Sequence, residues 1–178
     1  MPRLTDPARL PTGTVTFVFT DIEGSTRLLN ALGPDEFADL LEAHQRLVRE
    51  TVEATGGVEV GTEGDAFFLA YGSAPDALRA AVDVQRRLTA GEGGGDRGLA
   101  IRIGMHTGEV ALRGDDYVGI DVHRAARIAA AGHGGQVLLS EQTRALAEGH
   151  APQGVSFTSL GAHRLKDFEQ PVRLYQVT

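Results

Sequence analysis

The chain contains no cysteine, which excludes disulfides, thiolate zinc sites and cysteine nucleophiles and fits a reducing compartment such as the cytoplasm. No apolar run approaches the ~18 residues that a membrane-spanning helix needs. Residues 1–13, MPRLTDPARLPTG, hold three prolines and no apolar stretch of the kind a secretory leader carries. They are expected to form an N-terminal tail, with one domain over 14–178. Positive charge is also short. Against 24 Asp and Glu stand 17 Lys and Arg, for a net charge of -7. That balance argues against a broad nucleic-acid-binding face, so an anionic ligand would need a local cation cluster or a metal. What is present is ordinary for a globular domain. The chain has 178 residues, 42% of them hydrophobic and 23% charged, which suits one domain with a substantial core and leaves little room for a second domain.

Residues 14–20, TVTFVFT, are β-branched or aromatic throughout and read as a buried strand. A small-residue turn follows. Gly33-Pro34 with Asp35 and Glu36 then marks a helix start, with proline and acids in the first turn. Phe37, Leu40, Leu41, Leu47, Val48 and Val52 keep helical spacing until Gly56-Gly57. VEVGTEGDAFFLAY reads as a hairpin centred near 61–65, and Ser73 as the cap of a second helix reaching Leu88. GEGGGDRG reads as a flexible loop without packing. A long strand follows in LAIRIGMHTGEVAL, then an alanine-rich helix in DYVGIDVHRAARIAAAG. A short strand near 136–139, a helix from Ser140, and strands near 155–163 and 172–177 close the chain. This order predicts an α+β sandwich, a mostly antiparallel sheet with helices on one side.

Two carboxylates stand out. Asp21 ends the first strand and Asp65 lies in the turn of the predicted hairpin. If strand and hairpin are sheet neighbours, both carboxylates reach one sheet edge. Two carboxylates near a main-chain carbonyl suit Mg²⁺, a hard cation that prefers oxygen ligands and whose shell phosphates complete. The competing reading is that each aspartate serves its own turn.

Four ordered motifs, FTDIEGST, EGDAFF, GMHTGEV and DYVGIDVHRAARIA, together resemble the class III adenylate/guanylate cyclase catalytic domain. The resemblance runs from about Thr14 to Val177. It implies a ferredoxin-like palm domain acting as a head-to-tail homodimer, converting ATP or GTP to the 3′,5′-cyclic monophosphate and pyrophosphate. It implies two Mg²⁺ or Mn²⁺ ions per site, held by Asp21, Asp65 and the carbonyl of Ile22. Arg127 matches the arginine that stabilises charge on the α-phosphate, and Lys166 the lysine that steadies the terminal phosphates. Asp116 matches the base-reading position that is usually Asp in adenylate cyclases.

Two positions depart from the pattern. Gly61 stands where the family has a base-reading lysine, and His123 where it has an asparagine beside the reacting ribose. Glycine can make no side-chain contact to a purine, whereas histidine retains hydrogen-bonding capacity in a bulkier, titratable ring. The resemblance therefore implies ATP cyclisation at a reduced rate, the alternatives being a cyclase-like nucleotide-binding or dimerisation module with little turnover, or a cyclase with relaxed base preference. Among other candidates, His106 reads as a structural histidine on a strand. Arg124 reads as a solvated helix charge or a phosphate contact. The histidines show no zinc-binding spacing, and GTEGDA lacks the Gly-Lys-Ser/Thr of a phosphate loop.

Overall fold

The computed structural model describes residues 6–178, so the first five residues of the expected tail lie outside the described residues. A seven-stranded sheet runs in the order β2-β3-β1-β4-β7-β9-β8. Its central strand β1 (Gly13–Ile22) pairs antiparallel with β3 (Ala66–Tyr71) and with β4 (Ile101–Val110). β2 (Val58–Glu63) borders β3, and β9 (Val172–Val177) pairs with β7 (Val137–Ser140) and β8 (Phe157–His163). Among the described residues only the β4–β7 pairing is parallel. The expected α+β palm with a mostly antiparallel sheet is what the chain adopts.

The helices, however, cover both faces of the sheet rather than one. α2 (Pro34–Ala54) and α3 (Ala74–Thr89) build one large core with Val18, Ile22, Ile101, Ile103 and Met105. α4 (Ile120–Ala131) lies on the opposite face, where its Ala125 packs in a second core with Val15, Phe17 and Ala70. Successive residues of a strand point to opposite faces, and β1 is apolar at both parities, so it is buried on both. α4 approaches closely because β4 offers glycine beneath it. A Cβ on Gly104 would lie 2.1 Å from the Ala129 nitrogen, and one on Gly108 would lie 2.2 Å from the Asp121 carboxylate.

Two further elements differ from expectation. Ser25–Leu32 forms its own short helix, α1, separated from α2 at Gly33, whose φ of 82° breaks the helical path. The glycine-rich stretch is not a loose loop. Glu92–Arg97 forms a 3₁₀ turn in which Gly94 is buried, with Gly93 and Gly94 set against Leu47 and Leu40 of α2. Arg87 ties the turn down by ion pairs to Glu92 and Glu50. Glycines here permit close packing, a role indistinguishable by composition from flexibility. Ahead of β1, Leu10 is buried, and the Tyr117 hydroxyl donates to the Pro11 carbonyl at 2.5 Å.

α2 also buries an ionisable group. His44 is fully buried, edge-on to Phe67 at 6.0 Å, and neither ring nitrogen has a hydrogen-bond partner among the described residues. Desolvation lowers its pKa to about 4. Because the unfolded chain takes up this proton near pH 6.5 and the folded one does so only near 4, the contribution is intact above pH 6.5. It is lost as pH falls from 6.5 to about 4, amounting to about 3 kcal/mol. His44→Leu should therefore gain about 3 kcal/mol on the parent protein between pH 7 and 4. Urea denaturation across that range checks this; a pH-independent difference between the two proteins would contradict it.

Candidate active site

Asp21 sits at the end of β1 and pairs in register with Arg102 of β4. Arg102 grips it with two nitrogens: Nε donates to Oδ1 at 2.8 Å, and Nη2 donates to Oδ2. This hydrogen bonding, opposed by desolvation and aided by the charges of Asp21, Glu23 and Asp65, raises the Arg102 pKa. Asp65, in the β2–β3 turn, reaches across to β1, where its Oδ2 accepts from the Ile22 N–H at 2.6 Å. Neither aspartate serves its own turn. Asp21, Ile22 and Asp65 converge at one sheet edge because β3 is the sheet neighbour of β1.

Two carboxylates beside the Ile22 peptide would offer hard oxygen donors of the kind that suit Mg²⁺ or Mn²⁺. The fit is incomplete within the protein: among the described residues no group of three or more His, Cys, Asp or Glu side chains is arranged to hold a metal. Arg102 already supplies a positive charge to Asp21. A divalent ion would have to displace that guanidinium and draw its remaining ligands from elsewhere.

The other expected site residues lie apart from this edge. The cavity beside Asp21 measures about 130 Å³ and is lined on the α4 side by Ala126, Ala129 and Ala130. Arg127 leaves α4 in a different direction and donates to Asp167 at 2.6 Å. Lys166, next to Asp167, is exposed, as are His123 on α4 and Asp116 on β6 (Asp116–Tyr117), the partner of β5 (Leu112–Arg113). Gly61 follows a register shift in β2 and faces Phe68 across the pair. Phe68 stacks on Phe19 with centroids 4.5 Å apart and meets Tyr117 edge-on at 6.3 Å. The expected base-reading positions thus flank an aromatic cluster, while the carboxylates and Arg127 occupy different sides of α4. A cavity of 130 Å³ is well below the ~300 Å³ at which small-ligand pockets begin. Within one chain the carboxylate edge and Arg127 are therefore not brought together.

Sequence reasoning missed three participants. Arg102 was visible as the charged residue inside the apolar run IRIG, since a charge on an interior strand requires a partner. Asp167 and Phe168 carried no signal, because their partners on α4 are set by tertiary packing. His106, read as structural, is 1% exposed and links Ser140 and Asp121, with Nδ1–Oγ and Nε2–Oδ1 distances of 2.8 Å each. This Ser-His-Asp chain, which no spacing revealed, is not a nucleophilic triad. Ser140 is fully buried, and its Oγ caps α5 (Glu141–Ala147) by accepting from the Thr143 N–H. Burial lowers the His106 pKa against the opposing pull of Asp121, so the ring is neutral at pH 7. A carboxylate only accepts, so Nε2 carries the proton and Nδ1 accepts from Ser140.

The sequence pattern described as the adenylate and guanylate cyclase catalytic domain matches residues 9–178. An uncharacterized protein of Mycobacterium tuberculosis is 38% identical over 175 residues, covering 97% of this chain and 59% of the relative. This chain therefore spans about three fifths of that relative's length. The receptor-type adenylate cyclase GRESAG 4.3 of Trypanosoma brucei brucei is 32% identical over 209 residues, covering 94% of this chain and 17% of the relative. Among solved structures, a Trypanosoma brucei adenylate cyclase in its monomeric state superposes with a TM-score of 0.87 at 28% identity, covering 97% of this chain and 92% of that one. Among the described residues no helix is long and apolar enough to cross a membrane.

Proposed function

Because the chain belongs to the adenylate and guanylate cyclase catalytic domain family, we propose that it cyclises ATP to 3′,5′-cyclic AMP and pyrophosphate in a cytoplasmic homodimer. The observation that carries this reading is the convergence of Asp21 and Asp65 on Ile22, with Arg127 and Lys166 on a separate face of the same chain. A twofold dimer joins the carboxylate edge of one protomer to the α4 face of its partner, forming two equivalent sites.

In the reaction the ribose 3′-oxygen bonds to the α-phosphorus as the bond to the bridging oxygen breaks. Pyrophosphate leaves with the electron pair, and the hydroxyl proton passes to solvent. Divalent ions, when bound, would favour the 3′-alkoxide and neutralise the triphosphate. Asp21, Asp65 and the Ile22 carbonyl would hold them. Arg127 would stabilise charge developing on the α-phosphate, using donors not engaged by Asp167, and Lys166 would hold the terminal phosphates. Asp116 would accept from the adenine amino group, and His123 would hydrogen-bond beside the ribose.

Gly61 favours a modest rate and a weak choice of base. A site that must satisfy a polar edge rejects the wrong base strongly, because mismatched buried groups stay unpaired. Without a side chain at Gly61, half of that reader is missing. Gly61→Lys should sharpen the preference for ATP over GTP by about tenfold, the scale of one hydrogen bond to a charged group. Competition assays on both nucleotides check it; strong rejection of GTP by the parent protein, unchanged by the lysine, would contradict it.

Incubating the protein with ATP, GTP, CTP or UTP and Mn²⁺, followed by chromatography, tests the activity itself. Cyclic AMP should form, slowly. If no cyclic product forms from any of the four, the chain is a cyclase-like module of little turnover, the reading that Gly61 and His123 together would then support.

A further inference from the structure

Leu165 to Phe168 form a tight turn, closed by the Phe168 N–H donating to the Leu165 carbonyl at 3.1 Å. Leu165 is buried, Lys166 is exposed, and Asp167 takes a φ of 68°. Aspartate tolerates that region better than most side chains, at a small cost that surrounding contacts offset. Two of the contacts that hold the turn come from α4. Arg127 donates to Asp167 at 2.6 Å, and the Arg124 guanidinium lies 5.1 Å above the Phe168 ring.

Arg124 is itself held. Its Nη1 donates to Asp121 Oδ1 at 3.3 Å, the same oxygen that His106 Nε2 reaches at 2.8 Å. His106 is fixed in turn by Ser140, and Gly104 and Gly108 on either side of it let α4 lie against β4. Phe168 packs on the small core of Ile128, Leu138, Leu165 and Leu174. Arg124 is therefore not simply a solvated helix charge. It joins the sheet to the turn.

We infer that α4 clamps the Leu165–Phe168 turn, Arg124 seating Phe168 and Arg127 holding Asp167, so that Lys166 is projected in a pre-set position for a triphosphate. Arg124 is a positioning residue, and His106 and Asp121 position it in turn. Pre-setting lowers the ordering cost of binding, so its loss falls on KM more than on kcat. The inference rests on the cyclase reading only for what Lys166 touches; the clamp itself does not depend on it.

Two measurements on the same variants separate these. Hydrogen exchange of segment 164–170 reports the clamp directly, without substrate. In Arg124→Ala and in Phe168→Leu this segment should exchange about tenfold faster, and KM for ATP should rise by about tenfold with kcat changed less. Phe168→Tyr keeps the ring face and should behave like the parent protein. The double variant Arg124→Ala/Phe168→Leu should fall short of the sum of the two single effects, because the contact that the two side chains share is lost only once. Unchanged exchange in Arg124→Ala, or fully additive effects in the double variant, would overturn the clamp. Faster exchange with an unaltered KM would overturn the link to the triphosphate. If the parent protein makes no cyclic nucleotide, the cyclase reading fails and exchange alone decides the clamp.

Discussion

Asp21→Ala and Asp65→Ala should each lower cyclisation by about a thousandfold or more, since the charge stabilisation supplied by a bound metal is worth several kcal/mol. The fold should survive both changes. Asp65 contributes one hydrogen bond to Ile22, worth about 1 kcal/mol, and Asp21 a partly buried ion pair with Arg102, whose side chains are 32% and 27% exposed, so that the freed guanidinium can turn to solvent at modest cost. Thermal unfolding should therefore move little while product formation collapses. Metal binding supplies a readout beside turnover. Free Mn²⁺, followed by electron paramagnetic resonance with a non-cyclisable ATP analogue present, should be captured by the parent protein and not by either variant. Without nucleotide the parent should bind Mn²⁺ weakly, because Arg102 already neutralises Asp21 and phosphate oxygens are missing from the shell. Undiminished turnover in Asp21→Ala would sink the metal assignment.

The second large effect is rescue between two inactive proteins. Arg127→Ala should be inactive through loss of α-phosphate stabilisation, and Asp65→Ala through loss of a metal ligand. If each site draws its carboxylates from one protomer and Arg127 from the partner, a mixed dimer holds one site with both lesions and one with neither. Random exchange of equal amounts makes half the dimers mixed, so activity should return to about a quarter of the parent value. The structure makes this arrangement testable because the Asp21 cavity meets only the alanine side of α4, while Arg127 points to Asp167. Subunit exchange must be followed independently, for example by energy transfer between labelled chains. Verified exchange without return of activity would mean that each site takes Asp65 and Arg127 from the same protomer, so that every site of the mixed dimer carries one lesion, and would refute the shared arrangement.

Residue pattern alone determined much of the secondary structure. TVTFVFT, the Gly33-Pro34 helix start, the Ser73 cap and the β2–β3 hairpin follow from apolar periodicity and turn chemistry, which act over a few residues and are written in order along the chain. That the hairpin carrying Asp65 borders the strand ending in Asp21 was also legible, because a strand and a hairpin of known spacing have few ways to meet. Beyond that point sequence order carried no information. α4 lies on the opposite face from α2 and α3, and its alanine-rich run shows no sidedness that would have said so. GEGGGDRG looks the same whether its glycines grant freedom or permit close packing; Leu40 and Leu47 decided for packing. Arg102, Asp121, Arg124 and Phe168 acquired their roles only from partners far away in the chain. Local conformational preference settles which elements form. Which charges face one another depends on the face and register on which those elements pack, and that is decided by the burial of both sides of the sheet at once.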